Sequence, residues 1–279
     1  MRAEFALAWR LVSRQWRAGE LHLMIVAAVL AVTVATMLAA FGDRLERALV
    51  HRAADMLGAD LVLTGSKPPS AAALGVARQN RLAVSQAVDF STMLAAGPAP
   101  DDQVLLVAVR AADERYPLRG ELRTGEAPGD ARVAQGPAPG TVWVERRVRD
   151  DLGVNIGDRV GIGYTTLEIT ALVSHEPDRA GDFTALSPRV LMNRADLDAT
   201  RVIQPGSRVR YRTLFAGDDA AVAATRAALE TARAPNEEIV DVRTGSRRTA
   251  SALSRAMQFL GLAGVFGVIL CGAAIGIAA

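Results

Sequence analysis

One cysteine and one lysine stand among the 279 residues of this chain, and each scarcity closes off chemistry. Cys271 has no partner for an intrachain disulfide. Lys67 follows no glycine-rich loop, and no G-x-x-x-x-G-K-[ST] occurs, so the phosphate cradle of an ATPase is absent. Aromatic residues make up 5% and the formal net charge is +2, which leaves neither stacking platforms nor a basic face for nucleic acid. The histidines stand apart at 22, 51 and 175 without an HExxH. Ser85, Ser174 and Ser187 lie in no G-x-S-x-G elbow. GIGYTT at 161–166 has G-x-G without the third glycine of a dinucleotide site. Cys271 sits among apolar residues that favour the thiol, a packing position rather than a nucleophile. The densest polar cluster, HEPDRAGD, carries His175, Glu176, Asp178 and Asp182; it reads as a solvated loop ahead of a divalent-metal site. No catalytic residue, cofactor site or metal site is assigned.

Half of the residues are hydrophobic, and their distribution is uneven. Residues 21–41, LHLMIVAAVLAVTVATMLAAF, contain no Asp, Glu, Lys or Arg. As a helix they would extend about 31 Å, the hydrocarbon thickness of a bilayer. A signal peptide would have a shorter apolar core and a small-residue cleavage site, which Ala39, Ala40 and Phe41 do not provide. Residues 257–279, MQFLGLAGVFGVILCGAAIGIAA, are a second uncharged run, about 34 Å as a helix. It has no polar stripe of the kind that a soluble domain's helix would show. The chain ends at Ala279 still inside that run, which reads as part of a longer protein.

Residues 43–256, between the runs, carry equal numbers of acidic and basic residues, as a water-exposed domain should. Arg2, Arg10, Arg14 and Arg17 place the N-terminal segment in the cytoplasm by the positive-inside rule, with the large domain on the opposite side. Arg44, Arg47, Arg52, Arg247, Arg248 and Arg255 flank the runs on the domain side and weaken that bias.

Helical spacing then suggests surfaces. Residues 1–20 form an amphipathic helix with Phe5, Trp9 and Trp16 on an apolar sector and Arg10, Arg14 and Arg17 opposite; lying in lipid is the favoured reading over docking to a cytoplasmic partner. Ala27, Ala31, Ala35 and Ala39 make a small-residue face on the first run. Ala263, Gly267 and Cys271 do so on the second, with Gly272 and Gly276 alongside. Such seams let helices in lipid approach closely, whether the neighbour is the other run, further permease helices or a second copy. Residues 42–58 continue as a stalk helix with Leu45, Leu49, Ala53, Met56 and Leu57 on one side and Gly58 placed to end it. Residues 243–256 form the returning stalk.

The core domain, 59–242, reads as α+β, in two subdomains. Strands are expected at 60–64, 81–94, 103–110 and 207–213, with a short helix ending near Ala77 after the loop SKPPS. EAPGDARVAQGPAPG at 126–140 reads as an exposed loop. Residues 141–177 read as strand, short helix, turn and two strands, and Gly153, Gly157, Gly161 and Gly163 suit tight turns in a barrel-like unit. The alanine-rich stretch from Asp218 is a helix capped by Asp218 or Asp219, and NEEIVDVRT closes with a strand.

This order resembles the FtsX-like/MacB-like permeases of ABC transporters, and within them the YbbP-type permeases. The residues that carry the likeness are WRLVSRQWRAGELHLMIVAAVLAVTVAT at 9–36, ADLVLTG at 59–65, YPLRGELRTG at 116–125 and VWVERRVRDDLGVNIGDRV at 142–160. LEITALVSHEPDR at 167–179, SPRVLMNRADLDAT at 187–200 and PGSRVRYRTLFAG at 205–217 extend it. The resemblance implies a permease subunit of the inner membrane with a periplasmic domain, of exporter or mechanotransmission type, handling hydrophobic or envelope-associated substrates. It implies a separate cytoplasmic ATPase holding the ATP and Mg, further helices or a second copy, lipid, and a periplasmic protein as partners. By the same resemblance, the segment around Arg10, Trp16 and Arg17 becomes the cytoplasm-side approach to the membrane. The Leu45–Leu57 face becomes a dimer or domain surface. The alternative is a signalling or scaffold membrane protein whose domain recruits a periplasmic partner without transport.

Overall fold

The computed structural model describes residues 20–97, 103–126, 130–178 and 187–241, with side chains of the first helix described in part. Two compact units are distinguished: residues 1–50 together with 245–279, and residues 51–244. A single 38-residue helix, α1 (Glu20–Leu57), contains the first uncharged run and what the sequence divides into span and stalk. Among the described residues no helix is long and apolar enough to cross a membrane. The span at 21–41 therefore remains a reading of the sequence. The amphipathic segment with Arg10, Arg14, Trp16 and Arg17 lies outside the described residues. So do the returning stalk and the second run with Ala263, Gly267, Cys271, Gly272 and Gly276.

In the second unit one 11-stranded sheet carries the fold. Its strands are β1 (Leu61–Gly65), β2 (Ala83–Ala96), β3 (Gln103–Ala112), β4 (Leu122–Thr124), β5 (Arg132–Ala134), β6 (Thr141–Glu145), β7 (Arg159–Ile162), β8 (Thr165–His175), β9 (Arg189–Asn193), β10 (Val209–Ala216) and β11 (Glu237–Asp241). The helices after α1 are α2 (Ala71–Gln79), α3 (Arg146–Leu152), α4 (Leu197–Thr200) and α5 (Asp219–Ala232). The expected exposed loop at 126–140 contains β5, a short strand that pairs β4 from Leu122↔Ala134 to Thr124↔Arg132. Its three residues sit among Gly and Pro, too few for alternation to show in the sequence.

The stretch expected to form a barrel-like unit, 141–177, supplies only β6, β7 and β8 of a closed ring that also needs β2, β3 and β9. β2 pairs β3, β3 pairs β9, β9 pairs β6, β6 pairs β8, β8 pairs β7, and β7 returns to β2. Closure removes free strand edges, a standing liability of open sheets. The ring is filled from every strand: Val88, Phe90 and Leu94 from β2, Val107 and Val109 from β3, Val142 and Val144 from β6, Val160 and Ile162 from β7, Leu167 and Ile169 from β8, Val190 and Met192 from β9. Strict alternation along β2 and β3 places these residues inside and their neighbours on the outer face.

β2 is long because it serves two structures. Ala83–Phe90 pair β10, whereas Leu94–Ala96 pair β7. Beyond β10 the sheet opens into a wing with β1 and β11, all antiparallel. α2 and α5 belong to this wing, whose core joins Leu61, Leu63, Ala73, Ala77, Phe215, Val222 and Leu229. Asp218 caps α5, accepting from the Ala220 amide at 3.1 Å. Barrel and wing thus share one continuous sheet through β2, within the single compact unit 51–244.

Gly163 sits at φ +58° in the β7–β8 turn, and a Cβ there would overlap the Thr200 carbonyl and meet Val202 Cγ2 at 2.7 Å. Gly75 in α2 has open space around it. Gly163→Ala should lower the free energy of unfolding by about 2 kcal/mol or more, since strain and overlap combine. Gly75→Ala should raise it by roughly 0.5–1 kcal/mol. Chemical denaturation of the two variants beside the parent checks the opposite signs.

Candidate functional site

Two strands that are otherwise uncharged each carry one charge, of opposite sign. Asp89 of β2 and Arg110 of β3 stand directly opposite in the register, on the face turned away from the barrel interior. Arg110 is 1% exposed. Its Nε donates to Asp89 Oδ1 at 2.6 Å and its Nη2 to Asp89 Oδ2 at 2.8 Å, a two-pronged pairing. Its remaining nitrogen, Nη1, donates to the Tyr116 hydroxyl at 2.7 Å and to Glu176 Oε1 at 2.8 Å. Arg189, at the start of β9, donates to both oxygens of Glu176, at 2.8 and 3.2 Å. Arg212 of β10 lies 3.6 Å from Asp89 Oδ2 and 2.5 Å from Asp178 Oδ2. Three guanidinium groups and three carboxylates thus tie β2, β3, β9 and β10 to the segment that follows β8.

Burial of an ion costs several kcal/mol after relaxation, so such a centre persists only where partners are complete. Burial alone pushes the Asp89 carboxyl up, but the Arg110 charge and hydrogen bonds outweigh it and hold the group well below the usual carboxylate range. Glu176 follows the same pattern, with burial overcome by Arg110 and then Arg189. For Arg110, burial works against the charge, and Asp89, Tyr116 and Glu176 more than restore it. The Tyr116 hydroxyl is driven upward, first by burial, and stays protonated.

Asp178 is the exception. Burial is again the largest effect, Arg212 and Arg110 offset only part of it, and Asp89 and Glu176 oppose ionisation; the carboxyl is pushed up from 3.8 to about 6. The contact with Arg212 is close yet off the line of a hydrogen bond, so Asp178 Oδ2 and Arg212 Nε are buried without hydrogen-bond partners among the described residues.

Beside this centre, the last turns of α1 are fastened to the domain. Gly58 follows the helix, and its carbonyl accepts from the Leu118 and Arg119 amides, both at 3.0 Å. Arg119 Nη2 lies 2.8 Å from Asp60 Oδ2, which also accepts from the Gly217 amide at 3.0 Å. Gly120, at φ +73°, runs so close to the helix that a Cβ would lie 2.5 Å from the Asp55 carbonyl. Tyr116, Leu57, Leu122 and Leu214 belong to one core cluster outside the barrel. An adjoining cleft of about 910 Å³ is bordered by Arg52, Asp55, Met56, Arg123, His175 and Asp178.

The stalk residues read from the sequence separate here. Leu57 packs into the cluster, Leu45 and Ala53 are half-buried, and Met56 is 57% exposed on the cleft side. Ala54, which the sequence pattern did not single out, is buried instead. The side chains of Leu49 and of Ala27, Ala31, Ala35 and Ala39 lie outside the described set. Glu176 and Asp178, read as members of a solvated loop, turn inward because three arginines wait there; His175 alone of the described trio stays in solvent. Among the described residues no group of His, Cys, Asp and Glu is arranged to hold a metal ion. The signal for the centre was present in QVLLVAVRAA and AVSQAVDFSTMLAA, one lone charge in each otherwise uncharged strand, of opposite sign.

Sequence comparison finds a likeness to a permease of ABC transporters. The chain is 31% identical over 265 residues to the ABC transporter permease YbbP of Escherichia coli (strain K12), covering 95% of this chain and 32% of that protein. The chain spans about a third of that relative's length. Among solved structures, the periplasmic region of MacB from Actinobacillus actinomycetemcomitans aligns with TM-score 0.46 and 12% identity, over 72% of this chain and 97% of that one. The extracellular domain of the ABC-type transporter YknZ from Gram-positive bacteria aligns with TM-score 0.40 and 8% identity, over 65% and 100%. No family model matches the chain.

Removing Arg110 leaves Asp89 and Glu176 buried without their principal cation. Arg110→Leu should therefore cost about 3–5 kcal/mol of unfolding free energy, far beyond a surface charge deletion such as Arg208→Leu. Acid should loosen the centre too. Asp89 and Glu176 are more acidic folded than unfolded, so their contribution is present above pH 4–5 and is lost as pH falls below that range. Urea titrations across pH 2–7 check both.

Proposed function

We propose that this chain is part of the transmembrane subunit of an ABC transporter. Residues 21–41 and 257–279 cross the inner membrane, and the barrel-and-wing domain lies on the periplasmic side. The similarity to YbbP carries the reading: a match over 95% of the chain is too long to omit either uncharged run. Exposed apolar side chains on α1 support it, for Val26, Val29, Leu30, Val32 and Met37 are each at least 60% exposed, an arrangement suited to lipid rather than water.

In this reading a separate cytoplasmic subunit binds ATP and Mg and hydrolyses the nucleotide, and this chain transmits rather than catalyses. The segment with Arg10, Arg14, Trp16 and Arg17 lies at the cytoplasmic face of the membrane. The small-residue seams, Ala27–Ala39 and Ala263–Gly276, pack against further permease helices or a second copy. The junction at Gly58, Asp60 and Arg119 is stiff enough for displacement of the last turns of α1 to reach the sheet, which suits mechanical transmission or export. The substrate class is hydrophobic or envelope-associated compounds, and a periplasmic protein is a partner.

The test uses the complete permease co-expressed with its companion ATPase. Gln103→Cys, exposed on β3, should react in intact spheroplasts with a membrane-impermeant maleimide, while Cys271 stays unlabelled. The ATPase should co-purify, and its turnover should change on permease binding. Labelling only after permeabilisation would reverse the orientation, and failure of any ATPase to associate would remove the transporter reading.

A further inference from the structure

The segment after β8 is held to the domain chiefly by side-chain charges. Glu176 is gripped by Arg110 and Arg189 from two neighbouring strands. Two residues on, Asp178 adopts a left-handed backbone, φ +65°, which residues other than glycine adopt sparingly. That turn drives its carboxylate beneath the surface toward Arg212 and Arg110, at 2.5 and 3.5 Å, where Oδ2 finds no hydrogen bond. Glu176, Pro177 and Asp178 also form one wall of the 910 Å³ cleft beside the end of α1. A strap with one complete and one incomplete anchor, bordering open space, is built to release at the incomplete end.

We propose that Glu176–Asp178 is a latch across the edge of the barrel, closed tightly when Asp178 carries a proton and eased when it does not. The described charged groups around Asp178 all bear on this. Arg212 of β10 and Arg110 of β3 attract the carboxylate; Asp89 of β2 and Glu176 on the strap itself repel it; the neutral Tyr116 hydroxyl contributes a dipole. On the cleft side stand His175, Arg52, Asp55 and the Glu121–Arg123 pair.

The docked carboxyl holds its proton up to about pH 6, whereas one released to water holds it only to its ordinary 3.8. Docking and protonation therefore favour each other. The latch tightens as pH falls through 6 toward 4 and loosens as pH rises through that window. This opposes the first impression given by the Arg212 contact, which suggests that ionisation would close it. Desolvation of the carboxylate outweighs that single misaligned pairing. A pH-set latch on the cleft wall would regulate access beside the helix junction. That use depends on the periplasmic placement proposed above; the latch does not.

Hydrogen exchange on the whole purified chain in detergent tests it, with amides in a peptide spanning Ser174–Asp178 compared with those of β2 and β3, all corrected for intrinsic rates. Strap amides should open more readily than the strand amides. Their opening should be about tenfold or more frequent at pH 7.5 than at pH 5. In Asp178→Asn, which mimics the neutral carboxyl, the pH dependence should vanish and protection should stay at the acid level. Strap exchange that matches the strands at every pH would show no separate latch. Independence of pH, or stronger protection at pH 7.5, in the parent chain would overturn the proposal even if the variant failed to fold.

Discussion

Arg110 cannot be placed in a sheet this apolar without an answering charge, and most of the architecture around it is the answer. Its five N–H groups need acceptors within a region that water does not reach. Asp89 takes two of them across the β2–β3 pairing, and Glu176 and Tyr116 share the Nη1 side. Meeting that demand fixes the register of β2 against β3, recruits β9 through Arg189, and brings down the segment that leaves β8. Well-packed apolar residues of the same volume could give equal or greater stability. What an ionic centre supplies instead is a penalty on every alternative arrangement, because a slip of one residue would leave charges buried and alone.

The centre also joins regions that sequence separation would keep independent. Tyr116 contributes its hydroxyl to the ionic group and its ring to the cluster that holds Leu57 and Leu214. Two and three residues later, the Leu118 and Arg119 amides grasp the Gly58 carbonyl at the end of α1. A short segment, 116–120, is therefore in contact with both the helix terminus and the barrel's outer face. Displacement of the helix terminus relative to the sheet has to distort this segment or carry it along. Tight packing at Gly120 leaves little room for distortion.

Much of this fold was legible from composition and spacing. β1, β2, β3, β10 and α5 were apparent because alternation, breakers and an Asp cap coincide with their ends. The barrel was suggested by four glycines in quick succession. What escaped were features decided by tertiary partners. β5 is too short to show a period and exists because β4 offers an edge. β2 reads as one long strand, and nothing local reveals that its two ends serve a wing and a barrel. The Asp89–Arg110 pair could have been found as lone opposite charges in adjacent, otherwise uncharged strands. Glu176 and Asp178 could not, since a carboxylate in a Pro-containing loop looks solvated until the arginines beneath it are known. On α1, helical spacing alone marked Met56 with Leu57, whereas the domain's position buries Ala54 and leaves Met56 outward.

The uneven quality of the ionic contacts gives the centre its character. Were all three carboxylates bound as Asp89 is, the structure would be a rigid staple, indifferent to pH above the ordinary carboxylate range. Asp178 breaks that uniformity. Its backbone is turned into the left-handed region to bring the carboxylate inward, yet Arg212 reaches it at an angle that leaves Oδ2 and Nε without hydrogen bonds. A domain that needed only stability could place Asn there and avoid the cost of a buried charge. Retaining Asp makes the hold of this segment conditional on a proton, at the edge of a cleft and next to the turn where α1 meets the sheet. Stiffness through Arg110 and adjustability through Asp178 are thus separate properties of neighbouring residues.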